Sequence, residues 1–75
     1  MDQLEPLLVQ LRKFDALKEK SRGIFYRKSK SFLHFHEDPE GLFADLSAGV
    51  DFTRFNVTKA EGRKKLLAAV KASLV

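Results

Sequence analysis

The segment that decides the fold runs from Ser31 to Leu46 and reads SFLHFHEDPEGLFADL. Apolar and polar residues alternate on both sides of the sequence DPEG at residues 38–41, as in two strands that each bury one side. Proline presets the backbone at the first central position of a turn, and glycine accepts the positive φ with which the chain turns back. The segment therefore predicts a β-hairpin that turns at residues 38–41.

Similar period-two patterns on either side of this segment extend the predicted sheet. Short stretches rich in aromatic and β-branched residues indicate strands at residues 23–28, 31–37, 42–46 and 52–57. A weak turn at Ser29-Lys30 joins the first two strands, and the sequence SAGVD at residues 47–51 joins the last two. The four strands are expected to form an antiparallel meander.

A helical pattern lies at each end of the chain. Apolar residues at three- and four-residue spacing predict a helix over residues 3–20. Near the other end, Thr58 and Glu61 have the spacing of a capping box that opens a second helix. Gly62 is expected to weaken this helix by about 1 kcal/mol relative to alanine.

Length and composition set the outer limits of the prediction. A chain of 75 residues forms a single domain, residues 1–75, of the α+β class with the order α-β-β-β-β-α. It contains no cysteine, which excludes disulfides, thiolate metal sites and cysteine nucleophiles. The sequence offers no apolar run long enough to span a membrane, so we expect a cytoplasmic protein with no membrane partner.

The predicted turns fix which residues share a side of the sheet. The hairpin at residues 38–41 sets Leu33 opposite Leu46 and Phe35 opposite Ala44, whereas the turn at Ser29-Lys30 sets Tyr26 opposite Leu33. One side then becomes almost wholly apolar, and both helices are expected to pack on it. Its members are Ile24, Tyr26, Leu33, Phe35, Leu42, Ala44, Leu46, Phe55 and Val57.

The other side, the predicted open face, has no further helix to cover it. The register places His34 opposite Asp45 and Asp45 opposite Arg54, which predicts a hydrogen-bonded group at its centre. Asn56 also falls on this side. The candidate binding or interface residues are Phe25, Arg27, Phe32, His34, His36, Phe43, Asp45 and Arg54.

Self-association is the first functional hypothesis for this face. Phe25, Phe32 and Phe43 would be left uncovered by a single chain, and aromatic-rich faces of small domains are commonly interfaces. A two-fold homodimer would bury them and would support a small core. The sequence therefore favours a non-enzymatic interaction domain that forms a homodimer.

Two alternatives use the same residues. The chain carries 14 Lys and Arg against 10 Asp and Glu, a net charge of +4, so aromatic and basic side chains on one sheet could bind single-stranded nucleic acid. His34 and His36 lie two residues apart and could share a metal ion with Asp45. The chain has no nucleophile elbow and no glycine-rich phosphate loop, so no enzymatic activity and no cofactor are expected.

The region from residue 23 to residue 70 resembles a group of small bacterial proteins of uncharacterised function. The resemblance is carried by FYRKSKSFLHFHED at residues 25–38 and by GLFADL at residues 41–46. It implies a bacterial, cytosolic, stand-alone domain. It implies no activity and no catalytic residues.

Overall fold

A computed structural model describes residues 2–47 and 51–74. A 3-10 turn at Asp2–Leu4 leads into helix α1, Glu5–Leu11, and the chain ends in helix α2, Ala60–Leu74. Between them lie five strands: β1 (Lys18–Ser21), β2 (Ile24–Arg27), β3 (Lys30–Asp38), β4 (Gly41–Ser47) and β5 (Phe52–Asn56).

The strands form one antiparallel sheet in the order β1-β2-β3-β4-β5. The predicted α+β class is confirmed, but the predicted four-stranded sheet is wrong by one strand, since the described residues contain five. Residues 48–50 of the predicted 47–51 connection lie outside the described residues.

The additional strand comes from the second half of the predicted N-terminal helix. The helix ends at Leu11 instead of residue 20, and two tight turns follow, in which the amides of Phe14 and Leu17 donate to the carbonyls of Leu11 and Phe14. Leu17 still reaches the core. The next residues, KEKS at 18–21, pair with β2 at the edge of the sheet, where charged side chains are tolerated.

The hairpin between β2 and β3 turns one residue earlier than predicted. Lys28 and Ser29 have φ of 52° and 67°, so they form the two-residue turn, and Arg27 pairs with Lys30. Positive φ at both central residues matches the right-handed twist of the flanking strands. This displacement alone would leave Tyr26 on the same side as Leu33.

A β-bulge then inverts β2. Tyr26 pairs with Ser31 but Phe25 pairs with Leu33, so Phe32 has no partner across the ladder. The extra residue moves Phe25 into the core, where it is 0% exposed, and leaves Ile24 and Tyr26 partly exposed. The predicted placement of Phe25 on the open face, and of Ile24 and Tyr26 in the core, is therefore wrong.

The registers of β3, β4 and β5 match the predictions. Leu33 pairs with Leu46, and Ala44 pairs with Phe35 on one side and Phe55 on the other. At the turn, the Glu40 amide donates to Asp38 Oδ1 at 2.7 Å, which explains how the DPEG sequence fixes this register.

The core lies between one side of the sheet and the two helices. Its strand members are Phe25, Phe32, Leu33, Phe35, Leu42, Ala44 and Leu46, and the helices add Leu7, Leu8, Leu11, Leu66 and Val70. These residues form one apolar cluster, as expected for two helices on the same side of a sheet.

The start of α2 is anchored to the sheet instead of being closed by the predicted capping box. Thr58 Oγ1 accepts a hydrogen bond from the Leu42 amide at 3.0 Å, and the helix begins at Ala60. A Cβ atom on Gly62 would lie 1.8 Å from the Asn56 carbonyl oxygen. Gly62 therefore permits a close helix–strand approach, which its helix propensity alone did not indicate.

Candidate ligand-binding face

The side of the sheet opposite the core is the solvent face. Because side chains alternate along a strand, its members are Ile24, Tyr26, His34, His36, Phe43, Asp45, Phe52, Arg54 and Asn56. Both α1 and α2 contribute to the core on the other side. Within the described residues, neither helix covers this face.

Asp45 lies at the centre of the solvent face and forms an ion pair with Arg54. Arg54 Nε donates to Asp45 Oδ1 at 2.9 Å, and Arg54 Nη2 donates to Asp45 Oδ2 at 3.3 Å. This bidentate geometry fixes both side chains in one orientation. The predicted neighbours of Asp45 across the strands, His34 and Arg54, are confirmed as its ladder partners.

The histidine nearest the carboxylate is His36, which lies diagonally across from Asp45, and not the directly opposite His34. His36 Nε2 is 3.4 Å from Asp45 Oδ2, while His34 makes no hydrogen bond to Asp45. The Nε2 atom of His36 is buried and lacks a hydrogen-bond partner among the described residues. The prediction of a hydrogen bond between His34 and Asp45 is therefore wrong.

The ion pair controls the charge at the centre of the face. The hydrogen bond from Arg54 lowers the pKa of Asp45, although partial burial works in the opposite direction. The same hydrogen bond raises the pKa of Arg54. Asp45 is therefore ionised and neutralised by Arg54 at neutral pH, so the carboxylate does not give the face a net negative charge.

Three rings form a row across β3 and β4. The ring centroids of His34 and His36 are 5.6 Å apart, and those of His36 and Phe43 are 6.0 Å apart with planes 29° from parallel. The Arg54 guanidinium lies 5.9 Å from the centroid of Phe43. The row thus combines flat π surfaces with a fixed positive group.

Phe52 is the candidate that the sequence reasoning did not select. It lies at the start of β5 and is 61% exposed, more than any other large apolar side chain among the described residues. The sequence did contain a signal for Phe52: it is two residues before Arg54 and four before Asn56, and alternate residues of a strand share a face.

The β1 edge adds basic side chains to the face. Tyr26 pairs with Lys18, and Lys20 Nζ lies 4.8 Å from the centroid of the Tyr26 ring. Lys18 and Lys20 belong to the segment predicted as helix, so the sequence reasoning could not place them here.

The structure separates the predicted candidate residues into two groups. His34, His36, Phe43, Asp45 and Arg54 lie together on the solvent face. The other three lie elsewhere: Phe25 packs edge-on against Phe35 in the core, Phe32 is 5% exposed, and Arg27 Nη1 donates to the Ser73 carbonyl at the end of α2.

The metal hypothesis finds no support in the geometry. Residues 2–47 and 51–74 contain no group of three or more His, Asp or Glu side chains that could hold a metal ion. His34, His36 and Asp45 share a face, but Arg54 occupies the carboxylate. The alternative ligand set is therefore set aside.

Comparison with known proteins adds no functional information. No family model, curated protein or solved structure matches the chain. The resemblance to small bacterial proteins, the cytoplasmic location and the lack of enzymatic activity stay predictions. In the described part of the chain, no helix is long and apolar enough to span a membrane.

Proposed function

We propose that the protein is a non-enzymatic binding module whose solvent face takes single-stranded nucleic acid. The observation that carries the proposal is an uncovered sheet face on which exposed rings stand beside cations, with Phe52 61% exposed. Bases of any sequence stack on aromatic side chains, and each such contact is worth about 1–3 kcal/mol. The lysines and the arginine supply attraction to the phosphates.

The distribution of carboxylates supports an anionic partner. Glu5 and Glu19 both bond to Arg12, and Arg22 pairs with Asp2 and Glu5. This network is built around α1, and its hydrogen bonds lower the pKa values of Glu5 and Glu19. The carboxylates of Asp2, Glu5 and Glu19 are thus neutralised by ion pairs with arginines.

The lysines of the β1 edge are not paired with carboxylates in this way among the described residues. Lys18 and Lys20 form no ion pair with any residue in the described ranges. Because the chain carries a net charge of +4, these unmatched cations favour an anionic ligand over a neutral one.

Self-association is the second candidate, and Phe52 is the observation that favours it. The original basis for a homodimer was three uncovered phenylalanines, but Phe25 and Phe32 are buried within one chain. Phe52 remains as a large exposed apolar side chain on the edge strand β5. A mass that rises with concentration in sedimentation equilibrium would favour the homodimer, and a constant monomer mass would exclude it.

Fluorescence polarisation with a labelled oligothymidine tests the nucleic-acid proposal. We expect binding to the single strand to exceed binding to the matched duplex and to weaken steeply between about 50 and 200 mM salt. Phe52→Ser should weaken binding about 5- to 150-fold, which corresponds to the loss of one stacked base.

Val9→Ser is the matched control, because Val9 is also an exposed apolar side chain but lies on α1, on the opposite side of the molecule. It should leave binding unchanged. The proposal fails if the protein does not bind the oligonucleotide at low salt, or if both serine variants weaken binding equally.

A further inference from the structure

A basic depression lies at the end of the sheet where the β2–β3 turn, the end of β4 and the end of α2 meet. Three cations and three hydroxyl groups line it: Arg27, Lys28, Lys30, Ser31, Ser47 and Ser73. No carboxylate lines the depression among the described residues. Cations and hydroxyl donors without an acid are the groups that bind an oxyanion.

The two lysines of this basic depression are available to a ligand. Within residues 2–47 and 51–74, neither Lys28 nor Lys30 forms an ion pair. Arg27 is partly engaged, since its Nη1 donates to the Ser73 carbonyl at 3.2 Å and offsets the partial negative charge of the α2 C-terminus. Its buried Nε has no hydrogen-bond partner among the described residues.

The backbone of the turn points to a role for Lys28. Lys28 and Ser29 both adopt positive φ, although asparagine and glycine are the residues that this turn favours. Left-handed backbone at residues other than glycine costs free energy and is concentrated at ligand-binding sites. A lysine held at this position presents its charge at the rim of the depression.

The basic depression adjoins the solvent face. A second depression, on the solvent face, shares Ser31, Phe32 and Ser47 with the first. It also contacts His34, Asp45 and Phe52. A ligand with a phosphate in the basic depression could therefore place an attached ring against Phe52 and His34.

We propose that the basic depression binds the terminal phosphate of a single-stranded nucleic acid, with the base of that nucleotide against Phe52 and His34. The inference rests on the proposed function and names the part of the ligand that is recognised. A terminal phosphomonoester carries about −1.5 to −2 charges at neutral pH, more than the single charge of an internal phosphodiester. A site with three cations at the end of the sheet favours the terminal group.

The test compares oligothymidines that carry a 5′-phosphate, a 3′-phosphate or hydroxyls at both ends. One of the two phosphorylated strands should bind about 10- to 100-fold more tightly than the hydroxyl strand, as expected for charge-assisted hydrogen bonds. The double variant Lys28→Gln, Lys30→Gln should remove this preference.

The double variant Lys59→Gln, Lys65→Gln is the matched control. It makes the same change in charge, but both lysines line a depression near the opposite end of the sheet, beside Glu40 and Asn56. It should keep the preference for the terminal phosphate.

The outcomes separate the two proposals. Equal affinity for all three strands overturns the terminal-phosphate site but remains consistent with nucleic-acid binding by the solvent face. The site is also overturned if the Lys59, Lys65 variant loses the preference as completely as the Lys28, Lys30 variant. Failure of every strand to bind overturns both proposals.

Discussion

The two sides of the sheet are built from alternate residues of the same strands, yet they hold their side chains in different ways. On the core side, Leu33, Ala44 and Leu46 are buried under the helices. On the solvent face, Asp45 and Arg54 hold each other by a bidentate ion pair beside the row of rings. The difference indicates that the core side supplies most of the stability, so substitutions should separate stability from the ligand binding proposed for the solvent face.

The burial of side chains explains this separation. Removing an apolar side chain from water stabilises the fold by about 1.5–3 kcal/mol. Ion pairs in contact with solvent contribute much less, because water and salt screen them. The solvent face can therefore change in sequence without unfolding the domain.

The largest effect is expected from Phe25→Ala. Phe25 is fully buried and packs edge-on against Phe35, with ring centroids 6.5 Å apart. Its removal should lower the free energy of unfolding by about 3–5 kcal/mol, measured by urea denaturation. Phe52→Ala, which removes an equal side chain from the solvent face, should change it by less than about 0.5 kcal/mol. If the two variants were equally stable, the bulge at Phe32 and the inverted β2 would be contradicted.

A smaller effect is expected from acid on the Asp45–Arg54 pair. The pKa of Asp45 is lowered in the folded state, chiefly by the Arg54 hydrogen bond, so the pair stabilises the fold above the unfolded pKa of about 3.9. This contribution is lost as pH falls through the lower folded value.

Asp45→Asn should therefore lower the melting temperature slightly at neutral pH. The difference in melting temperature between this variant and wild type should become smaller in strong acid, as measured by thermal denaturation across pH. Asp51→Asn is the control, because Asp51 is exposed and forms no ion pair with the described residues. The ion-pair account is wrong if both variants show the same pH profile.

The parts of the fold that were predictable are those set by local turn chemistry. The Asp38 carboxylate and Gly41 fix the β3–β4 hairpin, whose register sets His34 opposite Asp45. The alternating pattern of β5 sets Arg54 on the other side of Asp45. Five of the eight candidate site residues lie on the solvent face as these registers predict: His34, His36, Phe43, Asp45 and Arg54. The sixth candidate on these strands, Phe32, is buried at the bulge.

The rest depended on packing that a local pattern does not contain. The apolar residues from Leu4 to Leu17 fit one helical stripe, but Leu17 reaches the same core from a turn. The bulge at Phe32 changes the face of every residue in β2, and no residue in that segment signals it. Thr58 has the spacing of a capping box, yet its hydroxyl bonds to Leu42.

The most direct test of the binding face follows aromatic ring signals by NMR during titration with oligothymidine. We predict that the rings of His34, His36, Phe43 and Phe52 shift in a saturable and salt-dependent way. The signals of the buried rings of Phe25 and Phe35, on the core side of the same sheet, should not shift. Shifts confined to the helices, or no shifts at low salt, would contradict the claim that the solvent face binds single-stranded nucleic acid.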